Sequence, residues 1–261
     1  MADLLARGFP EPRKYWTRAL DRLSARGAPE GCPPIGYLLE AGGAVVGALL
    51  LIFIERGGQI RCNVSSWYVE PAHRGHAALL ASMATKLKHV TYVNTSAAEH
   101  TWPILTALGY RRYNQGQFAA IPALKGGAAK VRALGGEDRS LADYDLLAAH
   151  AAAGCTVLVC ETPEGPEPFV FLRRRVSGLP AMQLIHARCT ERFIACAGPL
   201  GRALLRRGAP IVILDAPAPI AGLVGLWFSK RGPRYFKGPV QPRLNDLAFT
   251  EMVVFGPYGA S

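Results

Sequence analysis

Residues 44–54 (AVVGALLLIFI) constrain the fold of this chain more than any other stretch. The run is closed by Glu40 and Glu55. A membrane-crossing helix needs about 20 predominantly apolar residues, so the run is expected to be a buried β-strand, with no membrane insertion. Ala41, Gly42 and Gly43 precede it, and glycines supply the positive φ of a tight hairpin. Residues 36–39 and 45–55 therefore read as two paired strands, with a third over 60–69 (IRCNVSSWYV). Half of the 261 residues are apolar, enough for one large domain or two small ones.

Past Arg74 and Gly75 the periodicity changes. Ala77, Ala78, Leu79, Leu80, Met83 and Leu87 form an apolar helical stripe, with Lys86, Lys88 and His89 near the end that suits cations. Upstream, residues 12–23 (PRKYWTRALDRL) space Tyr15, Trp16, Leu20 and Leu23 as an amphipathic opening helix. Downstream, a strand over 90–94, a short helix over 101–108 and a strand over 110–121 are expected. The small, basic, glycine-containing stretch 123–139 reads as a connector. It divides a domain over 1–122 from a second over 140–261. In the latter, helices are expected over 141–152 and 191–207. Strands are expected over 156–161, 168–176, 181–186, 211–215, 223–229 and 249–255. The succession of strands, helix and strand echoes the first half, which points to two tandem related halves.

The formal net charge of +11 favours acidic partners, among them nucleotide phosphates, nucleic acid, membrane headgroups and acidic carrier proteins. The basic residues are scattered, and no RNA-recognition, helix-turn-helix or zinc-finger signature accompanies them, which argues against nucleic acid. Cys32, Cys62, Cys155, Cys160, Cys189 and Cys196 form no CxxC pair and have no histidines at ligand spacing. No metal site is expected, and reduced thiols fit a cytoplasmic protein. Residues 1–7 (MADLLAR) lack the apolar core of a secretory signal.

A strand ending at Val69, a turn, and a helix beginning near Ala77 would present the unpaired N–H groups of a first helical turn to an anion. Arg74 adds positive charge there, and Gly75 permits close backbone approach. Val69, Pro71, Arg74 and Gly75 resemble the V-x-P-x-x-R/Q-x-x-G-x-G/A pattern of the GNAT acyltransferase superfamily, with Ala77 and Leu79 standing at two of its small positions. Asn94, Ala97, Leu108, Gly109 and Tyr110 also follow that family's next strand and helix in order. The resemblance covers residues 36–121.

It implies an α/β (α+β) fold with a mixed, mostly antiparallel twisted sheet flanked by helices. It further implies acetyl-CoA or another acyl-CoA as co-substrate, with direct transfer to a small-molecule amine. Donor contacts would come from Trp67, Tyr68, Val69, His73, Arg74, Gly75, His76, Ala77, Ala78 and Asn94. Trp67 and Tyr68 are equally readable as an acceptor wall or as core aromatics.

Such a transfer requires a base for the amine and an acid for the leaving thiolate. Leu105 stands where the family often has its acidic tyrosine, so Tyr110 or Tyr113, or solvent, would have to serve. Glu55, His100, Ser65 and Ser66 are the candidates for the base. Cys62 has no assignable histidine partner, which disfavours an acyl-enzyme. Two other readings stay open: an acyl donor delivered by an acidic carrier protein, and a non-catalytic basic module. Either a monomer or a homodimer is compatible with the sequence.

Overall fold

The computed structural model describes residues 1–256. The chain forms two compact units, and neither is continuous in sequence. Among the described residues the first comprises Met1–Tyr113, Arg234–Pro242 and Phe249–Gly256, and the second Asn114–Pro233 and Arg243–Ala248.

In the first unit, helices α1 (Ala2–Gly8) and α2 (Arg13–Arg26) precede strands β1 (Gly36–Ala41), β2 (Ala44–Arg56) and β3 (Gln59–Val69). β1–β2 and β2–β3 are antiparallel hairpins. Gly42 and Gly43 turn the first of these with φ 57° and 80°, a conformation other residues rarely adopt. The unbroken apolar run of β2 arises because both of its faces are covered. Ala48, Leu50 and Ile52 pack with Leu4, Leu5, Trp16, Ala19 and Leu23 of the two helices. Leu49, Leu51 and Phe53 pack on the other face with Cys62, Val64, Leu80 and Tyr92.

Pro71–His76 form a 3₁₀ turn that runs into α3 (Ala77–Ala84), followed by β4 (Val90–Asn94) and α4 (Trp102–Ala107). The helical stripe expected to reach Leu87 stops earlier. The Thr85 hydroxyl donates back to the Ala81 carbonyl at 2.9 Å, the local bond by which threonine competes with helix propagation. β4 pairs in parallel with β3.

Strand β5 (Arg111–Ala120) leaves the first unit after Tyr113. The second unit continues with β6 (Val131–Ala133), α5 (Tyr144–Ala152), β7 (Thr156–Thr162), β8 (Gly165–Val176), β9 (Leu179–His186), α6 (Thr190–Leu205), β10 (Ile211–Asp215) and the start of β11 (Gly225–Lys237), whose residues from Arg234 onward belong to the first unit. β7–β8 and β8–β9 are antiparallel, and β9–β10 parallel, repeating the order of β1 to β4. The core lies where Phe193 of α6 meets Phe169 and Phe171 edge-on, at ring centroid distances of 6.0 and 6.3 Å.

The linear division at residues 123–139 is corrected by this arrangement. Residues 117–120 of β5 pair antiparallel with β10, so they complete the second unit's sheet. Tyr235–Lys237 of β11 pair antiparallel with β4 and complete the first. The connector is itself packed. Gly198 and Gly201 of α6 carry no Cβ where one would meet the Lys125 carbonyl and the Ala123 amide at 2.2 Å, so helix and connector backbone touch directly. The strand expected over 249–255 is instead a short helix, α7 (Glu251–Val254), because Val254 and Phe255 dock against α1 and α2.

Candidate active site

β3 and β4 pair from Ile60↔Val90 to Asn63↔Val93, and the ladder goes no farther. Asn63 marks the point of divergence. Its amide donates to the Val93 carbonyl at 3.3 Å, and its Oδ1 accepts the Glu251 N–H at 2.7 Å. Beyond it, β3 stays on β2 but bulges. Ala48 faces Tyr68 and Leu50 faces Ser65, leaving Ser66 and Trp67 opposite Leu49 alone. Ser66 takes φ 50°. Such a bulge re-aims the side chains around it.

A cavity of about 510 Å³ occupies the divergence. Its walls are Val64–Tyr68 of β3, Asn94, Ser96–Ala98, His100 and Thr101 after β4, Gly8–Glu11 between the opening helices, Trp16 and Arg74. The Asn94 Oδ1 accepts the Ser96 N–H at 3.3 Å, the local turn asparagine favours. Behind the wall lies Glu251, wholly buried. Its carboxylate accepts from the Thr95 hydroxyl at 3.1 and 3.3 Å and from the Ser96 hydroxyl at 2.6 Å. The Arg234 guanidinium donates to the Thr95 carbonyl.

Of the residues singled out from sequence, the structure gathers Trp67, Tyr68, Arg74, Asn94 and His100 on the cavity wall. Val69 adjoins them, its backbone paired opposite Gly47. His73, Gly75 and His76 belong to the 3₁₀ turn, and Ala77 and Ala78 to the first turn of α3, off the lining. The 3₁₀ turn also changes the supply of anion donors, because the Ala77 N–H bonds the Arg74 carbonyl and the His73 N–H bonds the Glu70 carbonyl. No described residue lies within 4 Å of where a Gly75 Cβ would sit, so that face of the turn is open among the described residues. Leu79 is 55% exposed and does not enter the cavity.

Glu55 and Tyr110 do not join the site. Glu55 pairs with Ile60 beside the hairpin end of β2, five residues from the Leu50↔Ser65 pair and so about 17 Å along the strand. Tyr110 is buried in the core with Cys62 and Tyr92. Burial drives its phenol well above the usual range, the reverse of what a proton donor needs. Burial likewise raises the Cys62 thiol, with the Cys32 thiol adding to the effect. Phe9, Glu11, Trp16, Asn63, Ser96 and Glu251 escaped the sequence reading. Only the small polar run at 95–98, between a strand and a helix, offered a local signal. Among the described residues no group of His, Cys, Asp and Glu is placed to hold a metal ion, and no helix is long and apolar enough to cross a membrane.

No protein-family model matches the sequence, and comparison with curated proteins finds no match. Solved structures do match. A Pyrococcus horikoshii protein named for an inferred acetyltransferase activity aligns at TM-score 0.53 and 14% identity, over 95% of this chain and 89% of that one. A GCN5-related N-acetyltransferase from Anabaena variabilis aligns at TM-score 0.50 and 11% identity, over 76% of this chain but only 61% of that one. An Enterococcus faecalis protein described as a probable N-acyltransferase gives TM-score 0.50 and 11% identity, over 94% and 70%. The antiparallel hairpins, the parallel pair that parts after Asn63, and these likenesses together give the chain the fold of the GCN5-related N-acetyltransferases, the GNAT fold.

Proposed function

We propose that the first unit is an acyltransferase that moves an acyl group from acyl-CoA directly to a small-molecule amine, in the cytoplasm where acyl-CoA is made. The observation that carries this reading is the cavity opened where β3 and β4 part. Along Val64–Tyr68 the backbone groups turned towards the gap have no strand partner on that side among the described residues. Backbone donors and acceptors there need a partner, and the amides of a pantetheine arm supply one. Arg74 on the same wall is the cation for the donor's phosphates. Phe9, Trp16, Trp67 and Tyr68 give the acceptor an aromatic wall, and Glu11 gives it a carboxylate. With Cys62 buried and its thiol pushed up, both substrates react in one ternary complex.

A second reading, with the donor delivered by an acidic acyl carrier protein, is favoured by the surface around the loop. Leu79 and Met83 are 55% and 49% exposed on successive turns of α3, next to His73, Arg74 and His76.

Thermal-shift titration with CoA, acetyl-CoA and an acetylated carrier protein tests both. Binding at 100 times Kd stabilises a protein by about 2.7 kcal/mol, and Arg74→Glu is expected to abolish that gain for acetyl-CoA. No response to millimolar CoA would overturn the first reading; a response to the loaded carrier alone would install the second.

A further inference from the structure

We propose that Ser96 and Glu251 form the path by which the acceptor amine loses its proton, an inference that rests on the acyltransferase reading above. A fully buried carboxylate persists only when its oxygens are satisfied, and Glu251 is satisfied by the hydroxyls of two consecutive residues. Thr95 is 1% exposed, whereas Ser96 lies on the cavity wall. Ser96 is therefore the member of the pair that connects Glu251 to the cavity. Its hydroxyl donates to Glu251 at 2.6 Å, at the short end of O–H···O lengths. With that proton committed inward, the hydroxyl's lone pairs remain to accept one from the cavity.

Both ends of this bond are held by amide side chains. Asn94 accepts the Ser96 N–H, and Asn63 accepts the Glu251 N–H. The charged and titratable groups around the path are Arg234 on the Thr95 carbonyl, Arg22 on the Phe255 carbonyl at the far end of α7, and Glu11, Arg74 and the His100 imidazole on the cavity wall.

As the amine nitrogen bonds to the thioester carbonyl carbon and the C–S bond breaks, the surplus proton on nitrogen passes to Ser96 Oγ. The proton of Ser96 passes to Glu251. The thiolate leaves and takes a proton from solvent, and Glu251 later returns its own through Ser96. Ser96 touches the reacting nitrogen, and Glu251 acts through it.

The test measures thiol release from acetyl-CoA between pH 6 and 10, with 2-phenylethylamine or water as acceptor, for the native chain, Ser96→Ala, Ser96→Thr and Glu251→Gln. Loss of general base catalysis is worth roughly 100-fold or more. Ser96→Ala and Glu251→Gln are expected to lose kcat on that scale, with KM for acetyl-CoA and the thermal shift it induces retained. The deficit should shrink as pH rises and hydroxide takes the surplus proton from nitrogen in place of the Ser96–Glu251 path, and Ser96→Thr should restore the rate. Undiminished kcat in either variant, a loss equal at every pH, a loss confined to acetyl-CoA binding, or a native chain that binds acetyl-CoA yet releases no thiol would each overturn the proposal. A native chain that fails to bind acetyl-CoA would instead remove the acyltransferase reading, and this inference with it.

Discussion

The two units build the same divergence and use it in opposite ways. In the first, the parallel pairing of β3 and β4 ends at Asn63↔Val93, and Asn63 donates to the Val93 carbonyl at 3.3 Å. In the second, the pairing of β9 and β10 ends at Gln183↔Ile213, and Gln183 donates to the Ile213 carbonyl at 3.3 Å. Each third strand also bulges, at Ser66–Trp67 in β3 and at Ile185 in β9. The units differ in what enters the gap. Residues 243–248 fill the second divergence, with the Leu247 N–H on the Ile185 carbonyl at 2.7 Å and Asn245 bonded to both the N–H and the carbonyl of Asp215. The first divergence keeps its cavity. A splayed strand pair thus stays open only while no segment of the chain supplies its missing backbone partners.

Four substitutions would break or sharpen this contrast. Phe193→Ala removes the ring that α6 sets between Phe169 and Phe171. It should cost about 3–5 kcal/mol, read by denaturant unfolding. Asn245→Ala leaves the N–H of buried Asp215 without its acceptor and asks alanine to hold φ 60°. The expected cost is roughly 2–4 kcal/mol, with acetyl-CoA affinity unchanged. If that variant lost acetyl-CoA binding, the assignment of donor recognition to the first unit alone would fail. Ala98→Trp imitates in the first divergence what residues 243–248 do in the second. It should weaken acetyl-CoA at least about tenfold, or 1.4 kcal/mol by calorimetry, with Tm retained. Arg7→Ala deletes a 2.7 Å ion pair to Glu70 between side chains 54% and 29% exposed, and should change stability by less than about 1 kcal/mol.

Local pattern encodes only part of this architecture. The apolar run of β2, its glycine turn and the change of period after Gly75 located the central strands and the helix beyond them. The cavity-wall residues Trp67, Tyr68, Arg74 and Asn94 were legible because strand–turn–helix order is a property of neighbours in sequence. Ser66 gave no sign of its positive φ, since only glycine advertises that conformation. Residues 249–255 misled because a short apolar run suits strand and helix equally until packing decides. Glu251 was illegible for a simpler reason. Its partner Ser96 is 155 residues away, and no periodicity spans such a distance.

The return of residues 234–242 and 249–256 to the first unit also sets a timetable for assembly. When the ribosome has released residues 1–113, β4 still lacks Tyr235–Lys237 along its edge, and Asn63 still lacks the Glu251 amide. The segment that would become the first unit must wait, with an unpaired edge, for well over a hundred further residues to be synthesised. Contacts of such long sequence separation slow folding and prolong exposure to aggregation. A fragment ending at residue 122 should accordingly be recovered as an incompletely folded chain without acetyl-CoA binding, and the second unit serves the polypeptide partly as the carrier of the first unit's last strand.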